Sequence, residues 1–227
     1  TTLVLMDPEE VRAQSHRKRS CSPGSYQSRQ KEFTFDQVFD SRATQLQVFD
    51  QTVKPLCEAV VDGYNATVLA YGATGAGKTH TMIGKENDGG IMYHTMNEIF
   101  QLSAEKEASG SGKFKIGVSF LEIYNETIRD LISPSSDVIE LREDPRGVQI
   151  AGITEIAVES ANDVHKLLVE GNLNRVQEAT VANETSSRSH AIFQITCEQV
   201  IAENEFKKQV RIGKFSLVDL AGSERAA

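Results

Sequence analysis

The sequence is poor in cysteine and has no long apolar run, and both absences exclude classes of protein. It holds three cysteines in 227 residues, Cys21, Cys57 and Cys197, and they lack the paired spacing of a zinc site. Reduced thiols in a cytosolic protein are therefore the plain interpretation. No apolar run approaches the roughly 18 residues of a membrane span, and no signal-peptide pattern opens the chain. We expect no membrane partner.

Positive charge is also in short supply. Lysine and arginine number 24 against 32 acidic residues, which gives a formal net charge of -8. This balance argues against a nucleic-acid partner held by bulk charge, although local basic patches remain compatible with it. Hydrophobic residues make up 39% of the chain, which fits one large globular domain with a buried core.

Apolar spacing predicts strands that alternate with helices. Helical spacing extends from Thr44 to about Gly63, with Pro55 as a possible kink, and again around Met92 to Phe100. Ser160 with Asp163 resembles a capping box that opens a third helix. The predicted strands are 2–7, 33–39, 66–71, 113–124, 138–143, 148–153, 191–203 and 209–221. This alternation favours a mixed α/β layered fold.

A glycine-rich turn follows the apolar run ATVLA. Gly72, Gly77, Lys78 and Thr79 satisfy the pattern G-x-x-x-x-G-K-[ST], between a predicted buried strand and helix-compatible residues. In such a loop, backbone N–H groups converge on a phosphate, the lysine reaches the β- and γ-phosphates, and the threonine hydroxyl ligates magnesium. The alternative is a glycine-rich turn without a ligand, but the flanking elements favour the phosphate cradle. Its candidate residues are Gly72, Ala73, Thr74, Gly75, Ala76 and Gly77.

Two further clusters supply what a phosphate loop needs for hydrolysis. The stretch KFSLVDLAGSE ends an apolar strand in Asp219, which suits magnesium, and continues to Gly222, whose N–H suits a γ-phosphate. The polar run NETSSRSH, residues 183–190, carries hydroxyls and one arginine. Each cluster alone is compatible with a plainer interpretation, as a strand-end aspartate before a turn and as a solvated loop.

The three clusters together resemble the motifs of one family. GATGAGKTHTM, NETSSRSH and LVDLAGSE, in this order, are similar to the P-loop (72–79), switch I (183–190) and switch II (219–224) of a kinesin motor domain. FTFDQVFD, GYNATVLAYG, FLEIYNETIRDLI and LREDPRGV also resemble kinesin segments in their expected order. The resemblance covers residues 1–227 and implies an α/β P-loop NTPase fold with a central mixed sheet flanked by helices.

Two alanines and two short stretches resemble one kinesin subfamily in particular. Ala73, Ala76, the stretch GIMY at 90–93 and the stretch SHAIFQI at 189–195 are most similar to kinesin-8. Membership of that subfamily implies plus-end motility and regulation of microtubule length.

The resemblance implies that the chain binds ATP and Mg²⁺. Lys78 and Thr79 match the positions that contact the phosphates and the metal. His80 falls where kinesins place a side chain against the adenine. The alternative to this adenine contact is that His80 is an ordinary surface histidine of a helix.

Both switch segments carry implied roles. Ser187 matches the residue that faces magnesium and the γ-phosphate, and Asn183 and Ser186 match residues that shape the closed loop. Asp219 and Gly222 match the opposing γ-phosphate sensor, with Asp219 on the metal side.

Arg188 and Glu224 are implied to form a salt bridge when both switches close over ATP. An exposed pair of this kind contributes little stability. Its implied use is geometric, because closure brings Glu224 into a water chain that leads to the attacking water. Loss of the γ-phosphate contacts then relaxes the switches and changes the affinity for microtubules.

Microtubules are the implied partner, and tubulin is acidic. The segment from Arg12 to Lys31 carries six basic residues and no acidic one, and it resembles the second loop that kinesin-8 motors extend toward the microtubule. A solvated flexible loop is the alternative. Residues 144–153 resemble another element that faces tubulin.

The sequence departs from the family at both ends. It lacks the Arg-x-Arg-Pro strand that packs on adenine, and it stops after AGSERAA, so we expect a partial motor domain whose absent strands would lie inside the sheet.

The parent protein is expected to be a homodimer in the cytoplasm, on the microtubule cytoskeleton and the mitotic spindle. Two other hypotheses stay open: a non-catalytic microtubule-binding module, and a P-loop ATPase switch that acts on another partner.

Overall fold

Strands and helices alternate along the chain, as the sequence predicts. The computed structural model describes residues 2–5, 31–85, 88–134, 139–144, 147–179, 188–204 and 207–224. They fall in two units, Thr1–Ala43 and Thr44–Ala227. The predicted basic loop before Lys31 lies almost wholly outside the described residues.

In its described residues, the first unit contains one antiparallel strand pair, β1 (Thr2–Leu5) and β2 (Lys31–Thr34). The prediction of a strand over 33–39 is correct only for its first two residues. The ladder ends with Thr34 opposite Thr2, so the residues after Thr34 have no β1 residue left to pair with.

The second unit is built on a sheet of six strands in its described part. Strand order is β10-β6-β11-β12-β3, and β7 pairs with β6. The β3–β12 pair is parallel and the others are antiparallel, which confirms the predicted mixed sheet. The strands are β3 (Ala66–Ala70), β6 (Lys113–Tyr124), β7 (Thr127–Asp130), β10 (Ile156–Ala157), β11 (His190–Asn204) and β12 (Lys207–Asp219).

Five helices and two short hairpins complete the described elements. The helices are α1 (Gln45–Thr52), α2 (Lys54–Val61), α3 (Lys78–Met82), α4 (Ile91–Ala108) and α5 (Ala161–Ala179). The hairpins are β4 (Gly84–Lys85) with β5 (Asp88–Gly89), and β8 (Glu140–Asp144) with β9 (Gly147–Ala151). No helix in these ranges is long and apolar enough to cross a membrane.

The helix predicted from Thr44 to Gly63 is divided in two. Thr44 caps α1 through a capping box with Gln47, and α1 ends at Thr52. The second helix starts at Lys54 with Pro55 in its first turn. Proline is tolerated there because its missing N–H would have no partner within the helix. The predicted disturbance at Pro55 is confirmed, in the form of a break.

A shared apolar core holds the sheet against its helices. Phe120 on β6 and Phe193 on β11 meet edge to face, with ring centroids 5.9 Å apart, and both are fully buried. Met92 and Met96 present the inner face of α4 to the same core. Each such side chain contributes about 1.5–3 kcal/mol by leaving water. This packing fixes the strands whose ends carry the glycine loop and Asp219.

The predicted capping box of α5 is also present. The Asp163 N–H donates to the Ser160 hydroxyl oxygen at 3.2 Å. Val164 and Leu168 are buried, as predicted for the inner face of this helix. Helix α4 extends to Ala108, further than its apolar pattern, because its last turn consists of helix-compatible and mostly exposed residues.

Candidate nucleotide-binding site

The site begins where two parallel strands end side by side. Ala70 of β3 lies opposite Asp219 of β12, so the turns that follow both strands leave the same edge of the sheet. The Leu220 N–H donates to the Ala70 carbonyl at 3.3 Å, and the Ser223 N–H donates to the Gly72 carbonyl at 3.1 Å. The predicted P-loop and switch II are therefore joined by backbone hydrogen bonds.

The glycine loop needs glycine where the backbone turns left-handed. Gly75 has φ 78° and Gly77 has φ 89°, a region that costs other residues free energy. The Ala76 N–H donates to the Ala73 carbonyl at 3.1 Å and closes the turn. The loop is thus a tight turn between β3 and α3, and its role as a phosphate cradle stays a prediction.

Lys78 lies across its own loop. Its ammonium donates to the carbonyl oxygens of Gly72 at 2.9 Å and Ala73 at 3.0 Å. This geometry puts a fixed positive charge beside the loop backbone, where the γ- and β-phosphates of a nucleotide are expected.

Thr79 and Asp219 come together as predicted metal-side groups. The Thr79 hydroxyl donates to Oδ2 of Asp219 at 2.7 Å, and Asp219 is 1% exposed. The other carboxylate oxygen, Oδ1, is buried without a hydrogen-bond partner in the described part of the chain. A hydroxyl and a carboxylate with an uncommitted oxygen are hard oxygen donors, so these residues fit Mg²⁺ or its bound water.

Arg175, near the end of α5, is a site residue that the sequence analysis missed. Its guanidinium donates to Oδ2 of Asp219 at 2.8 Å and lies 3.6 Å from Oε1 of Glu122. It also donates to the carbonyl of Ser189 at 3.1 Å. One pattern could have revealed it: Arg175 continues the inner-face spacing of Val164 and Leu168, so a charge falls at a core position of α5.

Glu224 binds the P-loop. Its carboxylate accepts the Thr74 N–H at 2.9 Å and also the Thr74 hydroxyl. These hydrogen bonds, led by that of the Thr74 hydroxyl, lower the pKa of Glu224 to about 2. Gly222 lies directly against the contact, because a Cβ at this position would meet Thr74 Oγ1 and the Glu224 carboxylate.

The implied Arg188–Glu224 salt bridge is not made between these two described side chains, and Arg188 is exposed. Because that pair was predicted for switches closed over ATP, it stays a prediction for that state. Asn183, Ser186 and Ser187 of switch I lie outside the described residues.

Two further contacts hold His80 and the backbone of switch II in place. Gln45, at the start of α1, donates from Nε2 to the His80 carbonyl at 2.6 Å and lies 3.1 Å from Nδ1 of His80. Nδ1 of His190 accepts the Ala221 N–H at 3.1 Å and so links the end of switch I to switch II. Neither Gln45 nor the contact of His190 was predicted.

The site and the sheet define a P-loop NTPase of mixed α/β fold. The family model described as "Kinesin motor domain" matches residues 5–227. This chain therefore belongs to the kinesin motor domain family, which confirms the resemblance inferred from its motifs.

Curated relatives agree with the predicted subfamily. Kinesin-like protein KIF19 of Homo sapiens is 47% identical over 226 residues, which are 99% of this chain and 22% of that protein. Kinesin-like protein KIF18A of Mus musculus is 44% identical over 232 residues, 99% of this chain and 26% of that protein. These relatives are kinesin-8 members, so the predicted similarity to kinesin-8 is confirmed.

A solved structure extends the likeness to the fold. The structure described as "Structure of a fast kinesin: Implications for ATPase mechanism and interactions with microtubules" matches with a TM-score of 0.79 and 40% identity. The match covers 87% of this chain and 56% of that chain.

This chain spans about a quarter of the length of its curated relatives, 22% and 26% in the two cases above.

Proposed function

We propose that this chain is the nucleotide-binding part of an ATP-driven microtubule motor. The observation that carries the proposal is the meeting of Thr79 and Asp219 at 2.7 Å, which joins a P-loop to a switch II carboxylate. The solved fast kinesin, whose description names an ATPase mechanism and interactions with microtubules, supports the same function. Regulation of microtubule length by the parent protein belongs to this proposal, as does its location on the microtubule cytoskeleton.

The residues of the P-loop would bind and orient the nucleotide. Lys78 would exchange its two loop carbonyls for the phosphate oxygens, and backbone N–H groups of residues 72–77 would surround the same anion. Thr79 and Asp219 would hold Mg²⁺, directly or through its water, together with Ser187. The metal supplies positive charge that stabilises the developing charge on the transferred phosphoryl group.

The switch residues would then control access of water. Glu224 would leave Thr74 and pair with Arg188, which brings its carboxylate toward the attacking water. Gly222 would offer its N–H to the γ-phosphate once that contact is released. Because the N–H of Thr74 binds Glu224 in the present geometry, closure requires an exchange of partners and not merely a shift of a free side chain.

Microtubule binding would be linked to this exchange. The proposed tubulin-facing elements are residues 144–153, which include β9, and the basic segment from Arg12 to Lys31, whose charge complements acidic tubulin. The proposal keeps the parent protein as a homodimer.

The test is ATP hydrolysis by the chain with and without microtubules, after circular dichroism has shown that each variant is folded. Glu224→Ala should abolish the microtubule-stimulated rate, because the group that orients water is lost. The control Glu105→Ala, which removes an exposed carboxylate on α4, should hydrolyse like the unaltered chain. A folded chain that binds microtubules without any turnover would instead make it a non-catalytic binding module. Turnover that ignores microtubules would indicate another partner.

A further inference from the structure

Two backbone N–H groups of switch II, one on each side of Gly222, are already bound. The Ser223 N–H donates to the Gly72 carbonyl at 3.1 Å. The Ala221 N–H donates to Nδ1 of His190, also at 3.1 Å. The Gly222 N–H between them makes no hydrogen bond within the described part of the chain. The donor proposed for the γ-phosphate is therefore the one that its two neighbours leave available.

The two hydrogen bonds fix the peptide groups on both sides of the Gly222 N–H. A peptide group is planar, so a bound N–H fixes the orientation of the whole group to which it belongs. The Ala221 N–H belongs to the peptide group before that of Gly222, and the Ser223 N–H belongs to the group after it. The direction of the Gly222 N–H therefore depends on both acceptors, a P-loop carbonyl and the ring of His190.

The histidine that accepts the Ala221 N–H belongs to the paired sheet. His190 is the first residue of β11 and lies opposite Ile123 on β6, whereas Ala191 lies opposite Asp219. Successive residues of a strand point to opposite faces, and directly opposite residues of neighbouring strands point to the same face. His190 therefore approaches switch II from the face of the sheet opposite to that of the Asp219 carboxylate.

The hydrogen bond also determines the tautomer of His190. A backbone N–H can only donate, so Nδ1 must be the ring nitrogen without a proton. The neutral ring therefore carries its proton on Nε2, because a protonated Nδ1 could not accept. Of the two acceptors that flank the Gly222 N–H, this one is a side chain, so a substitution can remove it without changing the backbone.

We propose that His190 is the positioning residue of the γ-phosphate sensor. By accepting the Ala221 N–H, it fixes the peptide group before Gly222 and so keeps the Gly222 N–H as the donor for the γ-phosphate. Gly222 already lies against the P-loop, because a Cβ at this position would meet Thr74 Oγ1. His190 acts through the backbone and contacts neither the nucleotide nor the metal. This inference rests on the proposed nucleotide-binding function.

His190→Leu is the sharpest variant, because leucine has a similar volume but cannot accept a hydrogen bond. Calorimetry in excess Mg²⁺ measures the binding of ADP and of a non-hydrolysable ATP analogue with an imido bridge between the β- and γ-phosphates. A misdirected Gly222 N–H forfeits about one hydrogen bond to the γ-phosphate, so the affinity for the analogue should fall about two- to tenfold. ADP has no γ-phosphate, and its affinity should stay as it was.

Two further variants separate the hydrogen bond from other effects of the substitution. In His190→Asn, Oδ1 is bonded to Cγ as Nδ1 is in histidine, so it can accept the Ala221 N–H and should keep both affinities. His165→Leu changes a half-buried histidine of α5 that packs against Tyr93, and this control should leave both affinities unchanged. Equal losses for ADP and the analogue, or no loss in folded His190→Leu, would overturn the proposal.

Nitrogen NMR of the unaltered chain tests the contact even if His190→Leu does not fold. At pH 8, Nδ1 of His190 should have the shift of an unprotonated nitrogen, and the analogue should move the amide resonance of Gly222 more than that of Ala221. A proton on Nδ1, or equal movement of the two amides, would contradict the inference. If the unaltered chain binds neither nucleotide, the proposed function itself fails, and the inference with it.

Discussion

Removal of the Thr74 hydroxyl should raise the pKa of Glu224. That pKa is lowered from 4.5 to about 2, and the hydrogen bond from the Thr74 hydroxyl is the largest cause. Thr74→Val keeps the shape of the side chain and the backbone N–H, which donates at 2.9 Å. We therefore expect a pKa between 2 and 4.5 in the variant, since the N–H and the nearby Lys78 still favour the carboxylate.

The two pKa values give ionised fractions of Glu224 that differ enough to be distinguished at a single pH. With a pKa of about 2, roughly nine tenths of Glu224 is ionised at pH 3, whereas a pKa of 4.5 would leave only a few per cent ionised. The folded-state pKa is the lower one, so the stabilisation from this contact is complete above pH 4.5 and is lost as the pH falls toward 2.

The assay is a pH titration of the Glu224 side-chain carboxyl carbon by NMR, in the unaltered chain and in Thr74→Val. Thr127→Val, an exposed threonine on β7, is the control and should leave the titration midpoint where it is. A midpoint near 4.5 in the unaltered chain, or an identical midpoint in Thr74→Val, would refute the contact as the cause of the low pKa.

Two predictions concern the core. Phe193→Ala should lower the free energy of unfolding by about 3–5 kcal/mol, because it empties a fully buried site against Phe120. Leu141 is 62% exposed, so the control Leu141→Ala should lower the free energy of unfolding by under about 0.5 kcal/mol. Urea denaturation measures both, and similar losses would contradict the described core. Burial raises the pKa of Cys57 to about 12 and that of Cys197 to about 11, so neither thiol should be alkylated at pH 8 until urea unfolds the chain. Mass spectrometry after iodoacetamide treatment checks this, and rapid labelling of either cysteine without urea would contradict its burial.

The sequence predicted those parts of the site that are written in consecutive residues. The glycine loop lies between a strand and a helix because its residues determine the backbone locally, and Asp219 ends β12 because the apolar run stops there. The parallel pairing of β3 with β12, which brings Thr79 to Asp219, joins segments that are far apart in the chain and is not visible in either segment alone.

The missed contacts join residues that are far apart in the chain. Thr74 and Glu224 are separated by 150 positions, and Gln45 and His80 by 35, so no local pattern relates them. The strand over 33–39 was overestimated for a similar reason, since its length depends on how much of β1 is available to pair with it. Arg175 is the exception, because its place on the inner face of α5 was visible from the spacing.

The proposed cycle follows from one carboxylate that has competing partners, Glu224, and one that does not, Asp219. Glu224 binds Thr74 in the present geometry, and it cannot bind the P-loop and take part in the proposed pair with Arg188 at the same time. Gly222 has no side chain to hinder either arrangement, whereas any Cβ there would collide with the Thr74–Glu224 contact. Asp219, in contrast, is held by Thr79 and Arg175 on one oxygen and is buried, so it has no such freedom. In the proposed cycle, switch II therefore combines a fixed metal-side carboxylate with an exchangeable glutamate five residues later in the chain. In the proposed motor, this division allows the metal site to persist while Glu224 changes partner with each nucleotide.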